Sequence, residues 1–260
     1  MQEHSLKTGG FFVGVVLFLA LPVITFANAL STTAGGSGPD GSCSNTGTGH
    51  AACSASFSGI TMMIVPYSAT LTADATASYG SLFAHAEITS TADIAFNVQA
   101  SASFSDTLTV TGFAGNGHID YIFDGTFTGI SDFGQVFDFQ QGAFAPVGFN
   151  SGNFNQVNVP FQFQTPAYPF TFGSPFTIQA SVNATAVGLD DQFGKGIFDV
   201  SLRQIDVSDQ NFTPLESFSV SAQSGAQYPT PEPSSLLLLA TLAALLGGLI
   251  YKAGTYRLPQ

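Results

Sequence analysis

The alternation of apolar and polar residues at every second position is the feature that most limits how this chain can fold. Over residues 176–186 the even positions are all apolar, whereas the odd positions are all polar and uncharged. Successive side chains of a β-strand point to opposite faces, so this segment predicts a strand that is buried on one face only. Shorter runs with the same period recur from about residue 57 to residue 222, with Gly and Pro between them at intervals of about ten residues.

Residues 57–222 are therefore predicted to form an all-β domain. Strands that are apolar on one face bury it against a second sheet, which favours an antiparallel β-sandwich of jelly-roll type; an up-and-down barrel is the alternative. The 26 Phe residues would fill the space between the sheets in a chain that has no Trp. The alternation changes phase between Leu202 and Ile205, which predicts a β-bulge near Arg203 or Gln204.

The segments on either side of this domain have a different composition. Residues 30–56 are rich in Gly, Ser and Thr and are expected to form an extended leader or an irregular cap. Residues 223–230 are expected to form a short flexible linker. Both segments are therefore placed outside the predicted sandwich.

The first 29 residues have the three parts of a secretory signal peptide. Lys7 supplies the positive charge, residues 11–21 form an apolar run, and Ala27 and Ala29 fit the small-residue rule for cleavage. The mature chain is therefore expected to begin at Leu30. An uncleaved N-terminal anchor is the alternative, although the apolar run is short for a spanning helix.

The C-terminal segment, residues 231–260, has the layout of a membrane anchor. A Pro-Glu-Pro tripeptide precedes the uncharged stretch 234–251, which is just long enough to cross a bilayer as a helix. Lys252 and Arg257 follow the stretch, and basic residues at the end of a span tend to stay in the cytoplasm. With a cleaved signal peptide, residues 30–230 would then lie on the side of the membrane opposite the cytoplasm. A plain tail anchor is the alternative reading of these features.

This arrangement closely resembles the PEP-CTERM sorting signal of Gram-negative bacteria, which joins a Pro-Glu-Pro motif, a short transmembrane helix and a terminal basic cluster. The matching residues are Pro231, Glu232 and Pro233, then the stretch 234–251, then the basic stop Lys252 and Arg257. The resemblance implies recognition by an exosortase, a membrane cysteine protease-transpeptidase that would release or transfer the protein to the cell surface. It also implies a component of the extracellular matrix. The same tail is described as the C-terminal domain of some ice-binding proteins.

Charged residues are scarce and mostly acidic. The 260 residues include 5 Lys and Arg against 17 Asp and Glu, for a net charge of −12. Binding to the phosphates of a nucleic acid needs clustered basic side chains, so this composition argues against a nucleic-acid partner. The charged fraction is 8 %, compared with about 25 % in ordinary domains.

The two cysteines, Cys43 and Cys53, lie in the Gly/Ser-rich segment. In an oxidising compartment such a pair is expected to form a disulfide that closes a small loop. The alternative is a thiol nucleophile, or a metal ligand together with His50. The flanking sequence supplies too few further ligands to favour it.

The candidate catalytic residues do not form a recognisable motif. The histidines are isolated in sequence, and no Gly-x-Ser-x-Gly elbow occurs. A pair of carboxylates could hydrolyse a glycan, and four acidic residues lie close together in the sequence. They are Asp120, Asp124, Asp132 and Asp138. Their places on polar strand faces and in turns are equally well explained by solubility, and no cofactor is implied.

Calcium binding is a weak secondary hypothesis. Extracellular β-sandwiches often bind this ion through the carboxylates of their loops. The candidates are Asp190 and Asp191 in one turn and Asp206 and Asp209 at the end of the next strand. Neither pair matches a twelve-residue calcium loop, and surface charge in turns explains both.

The sequence therefore predicts a non-enzymatic, exported protein of the cell surface or extracellular matrix, sorted by an exosortase from a membrane-anchored precursor. Its partners would be the secretion machinery, the exosortase and the membrane. The alternative is a module that binds extracellular polysaccharide or ice. The uncharged odd positions from Thr177 to Thr185 would suit such a module, although they lack repeated Thr-x-Thr ladders. A secreted glycan hydrolase is a third alternative, which the lack of a catalytic constellation disfavours.

Overall fold

The computed structural model describes residues 28–38, 41–60, 66–91, 96–130, 133–150, 156–188 and 193–230. Within these ranges the regular structure is entirely β, with fourteen strands. A helix with the length and hydrophobicity needed to span a bilayer does not occur in them. The predicted sorting motif 231–233, the helix predicted for 234–251 and the predicted signal peptide up to Ala27 lie outside the described residues.

The strands follow one another along the chain with short connections. They are β1 (Ala29–Gly38), β2 (Gly41–Gly47), β3 (His50–Ile60), β4 (Pro66–Ser78), β5 (Ser81–Ser90), β6 (Phe96–Thr111), β7 (Asn116–Ile130), β8 (Phe133–Gln141), β9 (Val147–Asn150), β10 (Gln156–Gln164), β11 (Tyr168–Thr171), β12 (Phe176–Gly188), β13 (Phe193–Asp209) and β14 (Ser219–Ala222). Ala29, the residue predicted to precede signal cleavage, is the first residue of β1.

Two antiparallel sheets contain all of these strands. The first sheet has the order β2-β1-β6-β12-β8-β9, and β14 pairs with the end of β6. The second sheet has the order β10-β7-β13-β5-β4-β3, and β11 pairs with the start of β7. Their inward side chains form one core cluster. The prediction of an all-β fold with two antiparallel sheets is confirmed.

Aromatic side chains fill one half of the core, as the abundance of Phe suggested. Tyr121 and Phe123 on β7 reach across to Phe139 and Phe137 on β8, in the opposite sheet. The ring centroids of Tyr121 and Phe139 are 4.5 Å apart, and those of Phe123 and Phe137 are 4.9 Å apart. Such tilted and edge-on pairs stabilise a core beyond the area that they bury.

Alanines line the other half of the core. They occupy inward positions on β4, β5, β6 and β12. An inward position of a strand can be filled by a small apolar side chain as well as by a large one. The buried alanines of these strands include Ala73, Ala75, Ala84, Ala86, Ala100, Ala102, Ala184 and Ala186. The interior therefore changes from large rings around β7 and β8 to small methyl groups around β4 and β5.

The phase change in the sequence before Ile205 corresponds to a bulge in β13. The register between β13 and β7 shifts between Leu202 and Gln204, so the predicted β-bulge is confirmed. A bulge adds one residue to one strand, and it lets the inward series continue from Leu202 to Ile205 without turning the apolar side chains outward.

The prediction for residues 30–56 was wrong. The segment expected to be a leader forms β1, β2 and most of β3, and it contributes to both sheets. Its inward positions hold Thr32, Ala34 and Ala51, all of them buried. Small residues alternate here in the same way as large ones do elsewhere, but their low hydrophobicity hides the period.

A disulfide joins Cys43 on β2 to Cys53 on β3, with 6.0 Å between the Cα atoms. The two strands are edges of different sheets, so the bond links one sheet to the other along this side of the molecule.

Loss of this bond is expected to lower the free energy of unfolding by about 2 to 3 kcal/mol, because the closed loop restricts the unfolded chain. Urea unfolding of the wild type should shift to lower urea when dithiothreitol is added. A Cys43→Ser/Cys53→Ser variant should already unfold there and should not respond to the reductant. Labelling of both cysteines by iodoacetamide without reductant would contradict the disulfide.

Candidate functional site

Charge is distributed unequally between the two outward faces. The described strands of the first sheet carry one outward-facing charged side chain, Asp138. The row of odd positions predicted on β12 lies on this face, and its Ser181 is paired with Ser103 and Asp138 on the neighbouring strands. The outward face of the second sheet carries ion pairs instead, including Lys195 with Glu87.

The second sheet also carries a groove of about 540 Å³ at one end of β7 and β13. Asp120 on β7 and Asp206 on β13 lie directly opposite each other across the two strands. Apolar residues and further polar groups complete the lining. They are Gln164, Ala167, Val207, Ser208, Phe212, Pro214, Leu215 and Glu216.

Each carboxylate of this pair accepts one hydrogen bond from a glutamine. The amide of Gln164 donates to Oδ2 of Asp120 at 2.6 Å, and the amide of Gln204 donates to Oδ1 of Asp206 at 2.5 Å. Partial burial raises the pKa of Asp120, the Gln164 hydrogen bond opposes that rise, and the charge of Asp206 adds to it. Two acids that face each other across a sheet destabilise it slightly.

Phe212 stands at the rim of the groove with 63 % of its surface exposed. Its φ is 62°, in the left-handed region that large side chains rarely adopt. Its ring stacks on the ring of His118 with 4.0 Å between the centroids, and Nδ1 of His118 donates to the carbonyl of Asp209 at 3.2 Å.

Asp209 organises the turn that carries Phe212. Its Oδ1 accepts hydrogen bonds from the backbone N–H groups of Asn211 and Thr213, and these bonds, led by Thr213, hold the pKa of Asp209 below its usual value. The carboxylate therefore caps a turn.

The structure separates most of the acidic residues singled out from the sequence. Asp124 pairs with Arg203 at 3.5 Å on the second sheet, whereas Asp138 lies on the other sheet. Asp132, Asp190 and Asp191 lie outside the described residues. Of the three described members of the hydrolytic set, Asp120 alone lines the groove, and its partner Asp206 comes from a different strand.

The two described calcium candidates, Asp206 and Asp209, have different roles. Asp206 faces Asp120, while Asp209 is used within its own turn. Among the residues that the structure describes, no three His, Cys, Asp or Glu side chains lie together in a way that could hold a metal ion.

A second feature, absent from the sequence predictions, is the buried carboxylate of Asp106 on β6. It has no exposed surface and accepts hydrogen bonds from Ser224 and from the hydroxyl of Tyr228, the latter at 2.8 Å. Burial, followed by the hydrogen bond to Asp106 and the charge of Asp106, raises the pKa of Tyr228 well above its usual value. The signal was visible in the sequence, because Asp106 occupies an inward position between Phe104 and Leu108.

The segment 223–229, called the strap here, is held against the body by these contacts. The N–H of Gln223 donates to the carbonyl of Thr107 at 2.9 Å, and the N–H of Ile205 donates to the carbonyl of Pro229 at 2.9 Å. Tyr228 is buried. The prediction of a flexible linker was therefore wrong for 223–229, because a buried acid and a buried ring attach the segment to both sheets.

Comparison with known proteins gives no family for this chain. No protein-family model matches it, and no curated protein matches it significantly.

Asp120→Asn is expected to stabilise the protein slightly at pH 7. Folding raises the pKa of the Asp120 carboxyl, so the ionised carboxylate destabilises the folded protein. This destabilisation disappears as the pH falls below 3.8, the usual pKa of an Asp carboxyl, because the group is then protonated in both the folded and the unfolded state. Because the site is partly exposed, the gain should be no more than about 0.5 kcal/mol. Thermal unfolding at pH 7 and pH 3 tests this, with Asp199→Asn on β13 as the control. A gain that is equal at both pH values would contradict the electrostatic origin.

Proposed function

We propose that this chain is an exported, non-enzymatic protein of the cell surface or extracellular matrix that an exosortase sorts through its C-terminal tail. The observation that carries the proposal is the tripeptide 231–233 placed directly before the uncharged stretch 234–251 and the basic residues Lys252 and Arg257. The signal-peptide pattern at the other end supplies the export that such sorting requires. A disulfide between two sheet edges suits a protein that works in an oxidising compartment.

The strap changes how the motif would be presented to a membrane protease. The carbonyl of Pro229 accepts a hydrogen bond from the body, and the Pro-Glu-Pro tripeptide begins two residues later at Pro231. Two extended residues span at most about 7 Å, so the folded body would sit close to the motif. An exosortase would then cleave close to the folded body.

Replacing Pro231, Glu232 and Pro233 with Ser-Gln-Ser tests the proposal in a host that has an exosortase. The full-length precursor is expected to accumulate in the inner membrane and to be lost from the surface, as seen by fractionation and intact mass. A plain anchor depends on apolar length and on the basic flank, so it would tolerate this change. Glu216→Gln, an exposed acid within the folded body, is the matched control. Normal processing of the triple variant would reject the sorting signal.

A second candidate function is the binding of extracellular polysaccharide. The groove beside Phe212 favours it, because the groove combines an exposed ring with carboxylate and amide groups. This candidate is compatible with sorting to the surface, since the two involve different parts of the chain.

A further inference from the structure

We propose that the groove between Asp120, Asp206 and Phe212 binds a segment of an uncharged polysaccharide. Every residue in this site lies in the folded body, so the inference does not depend on the tail or on its processing. A groove of about 540 Å³ is in the size range of small-ligand sites, about 300 to 1,000 Å³, and could hold one or two sugar rings.

The carboxylates supply hydrogen-bond acceptors for hydroxyl groups. Gln164 occupies Oδ2 of Asp120 and Gln204 occupies Oδ1 of Asp206, which orients both carboxylates. An ionised carboxylate has more acceptor positions than these single bonds use. Side chains directly opposite each other in an antiparallel pair have Cβ atoms about 5 Å apart, so hydroxyls of one sugar ring could reach both acids.

The rim and floor supply the apolar surface that a sugar ring needs. The ring of His118 covers one face of Phe212, and much of the Phe212 ring remains exposed. Pro214 and Leu215 continue this surface along the groove. A sugar has apolar C–H faces and a hydroxyl edge, and the groove offers an apolar wall beside a row of acceptors. Sites of this mixed kind hold a ligand by contact with the wall and orient it by a few polar groups.

The charges around the groove select an uncharged chain over an acidic one. Three acids, Asp120, Asp206 and Glu216, contribute to the lining, and no basic residue of the described part of the chain does so. The described cations closest in sequence are engaged elsewhere, since Lys195 pairs with Glu87 and Arg203 with Asp124. An acidic polysaccharide would be repelled here, whereas hydroxyl groups can donate to the second carboxylate oxygens of Asp120 and Asp206.

Binding is tested with the full-length chain, purified in detergent, by co-sedimentation with particles of cellulose, β-1,3-glucan and mannan. Wild type is expected to bind at least one of the three. Phe212→Ala should weaken that binding about tenfold, because it removes one aromatic contact. Asp206→Asn should weaken it by a similar factor, because it removes one ionised acceptor. Phe212→Tyr keeps the ring and should bind like wild type. Phe193→Ala, an exposed Phe 37 % accessible at the other end of β13, and Asp199→Asn are the matched controls and should not change binding.

Several outcomes would overturn the inference. Failure to bind all three neutral polysaccharides would do so, as would equal losses in the control variants. Binding to alginate or to polylysine alone would show an acidic or a basic partner instead. Release of reducing ends from a bound polysaccharide would show that the two acids hydrolyse their ligand. Unfolding curves of each variant distinguish a lost site from a lost fold, since Phe212 and Asp206 lie at the surface.

Discussion

Replacing Asp106 with Ala is expected to lower the free energy of unfolding by about 3 to 5 kcal/mol, among the largest effects of any single substitution in this protein. The carboxylate is completely buried and accepts hydrogen bonds from the backbone N–H of Thr107, from Ser224 and from Tyr228. Removing it leaves the buried hydroxyl of Tyr228 and the half-buried donors of Thr107 and Ser224 without this partner. A buried donor left without a partner costs about 1 to 3 kcal/mol. The strap should therefore come away from the body.

Urea unfolding of a protein of residues 28–230 measures this loss. Tyr228→Phe removes one donor and keeps the ring, so it should cost only about 1 kcal/mol. Asp138→Ala, an exposed acid on β8, is the control and should have little effect. Limited proteolysis should cut Asp106→Ala within 223–230 before the rest of the domain unfolds. An Asp106→Ala variant as stable as wild type, with a protected strap, would contradict this role.

Replacing Val182 with Asp is expected to lower the free energy of unfolding by more than about 4 kcal/mol, a large part of the about 5 to 15 kcal/mol that ordinary proteins have. Val182 is 1 % exposed, near the middle of β12, and β12 is the central partner of β6 and β8. An ionised carboxylate there would have neither water nor a cation among the inward alanines and phenylalanines.

Gln179→Asp is the matched control, because it puts the same charge on the same strand but on its exposed face. Far-ultraviolet circular dichroism and thermal unfolding should show a β spectrum with a normal transition for Gln179→Asp. Val182→Asp should give neither, or should unfold far below wild type. A Val182→Asp protein that melts like wild type would mean that this face of β12 is not buried.

The strand pattern of the central domain was predictable because burial leaves a local trace. Inward residues such as Ile178 and Val182 are spaced two apart on the chain, and both are buried. The bulge before Ile205 was predictable for the same reason, since the alternation of apolar and polar residues changes phase by one residue there. The pairing of Cys43 with Cys53 needed only the presence of two cysteines and an oxidising compartment.

The limits of the domain were not predictable from hydrophobicity. Ala34 and Ala51 are buried core residues in a segment that looks hydrophilic, because Gly and Ser surround them. Likewise, Tyr228 is the single large side chain that attaches the strap, and nothing in its immediate sequence indicates a partner. In both cases the residue is buried by contacts with residues far away in the chain, and the local composition does not show these contacts.

The sequence by itself determined the period of the strands, the all-β class, the bulge and the features of the two ends on which the proposed sorting depends. These are properties of neighbouring residues, and the alternation of a β-strand connects them directly to structure. Only the tertiary structure decided that Asp120 faces Asp206, that Phe212 stands over His118 and that Asp106 holds the strap. Each of these contacts joins residues on different strands or connections, and the register between strands, set by packing of the whole core, brings them together.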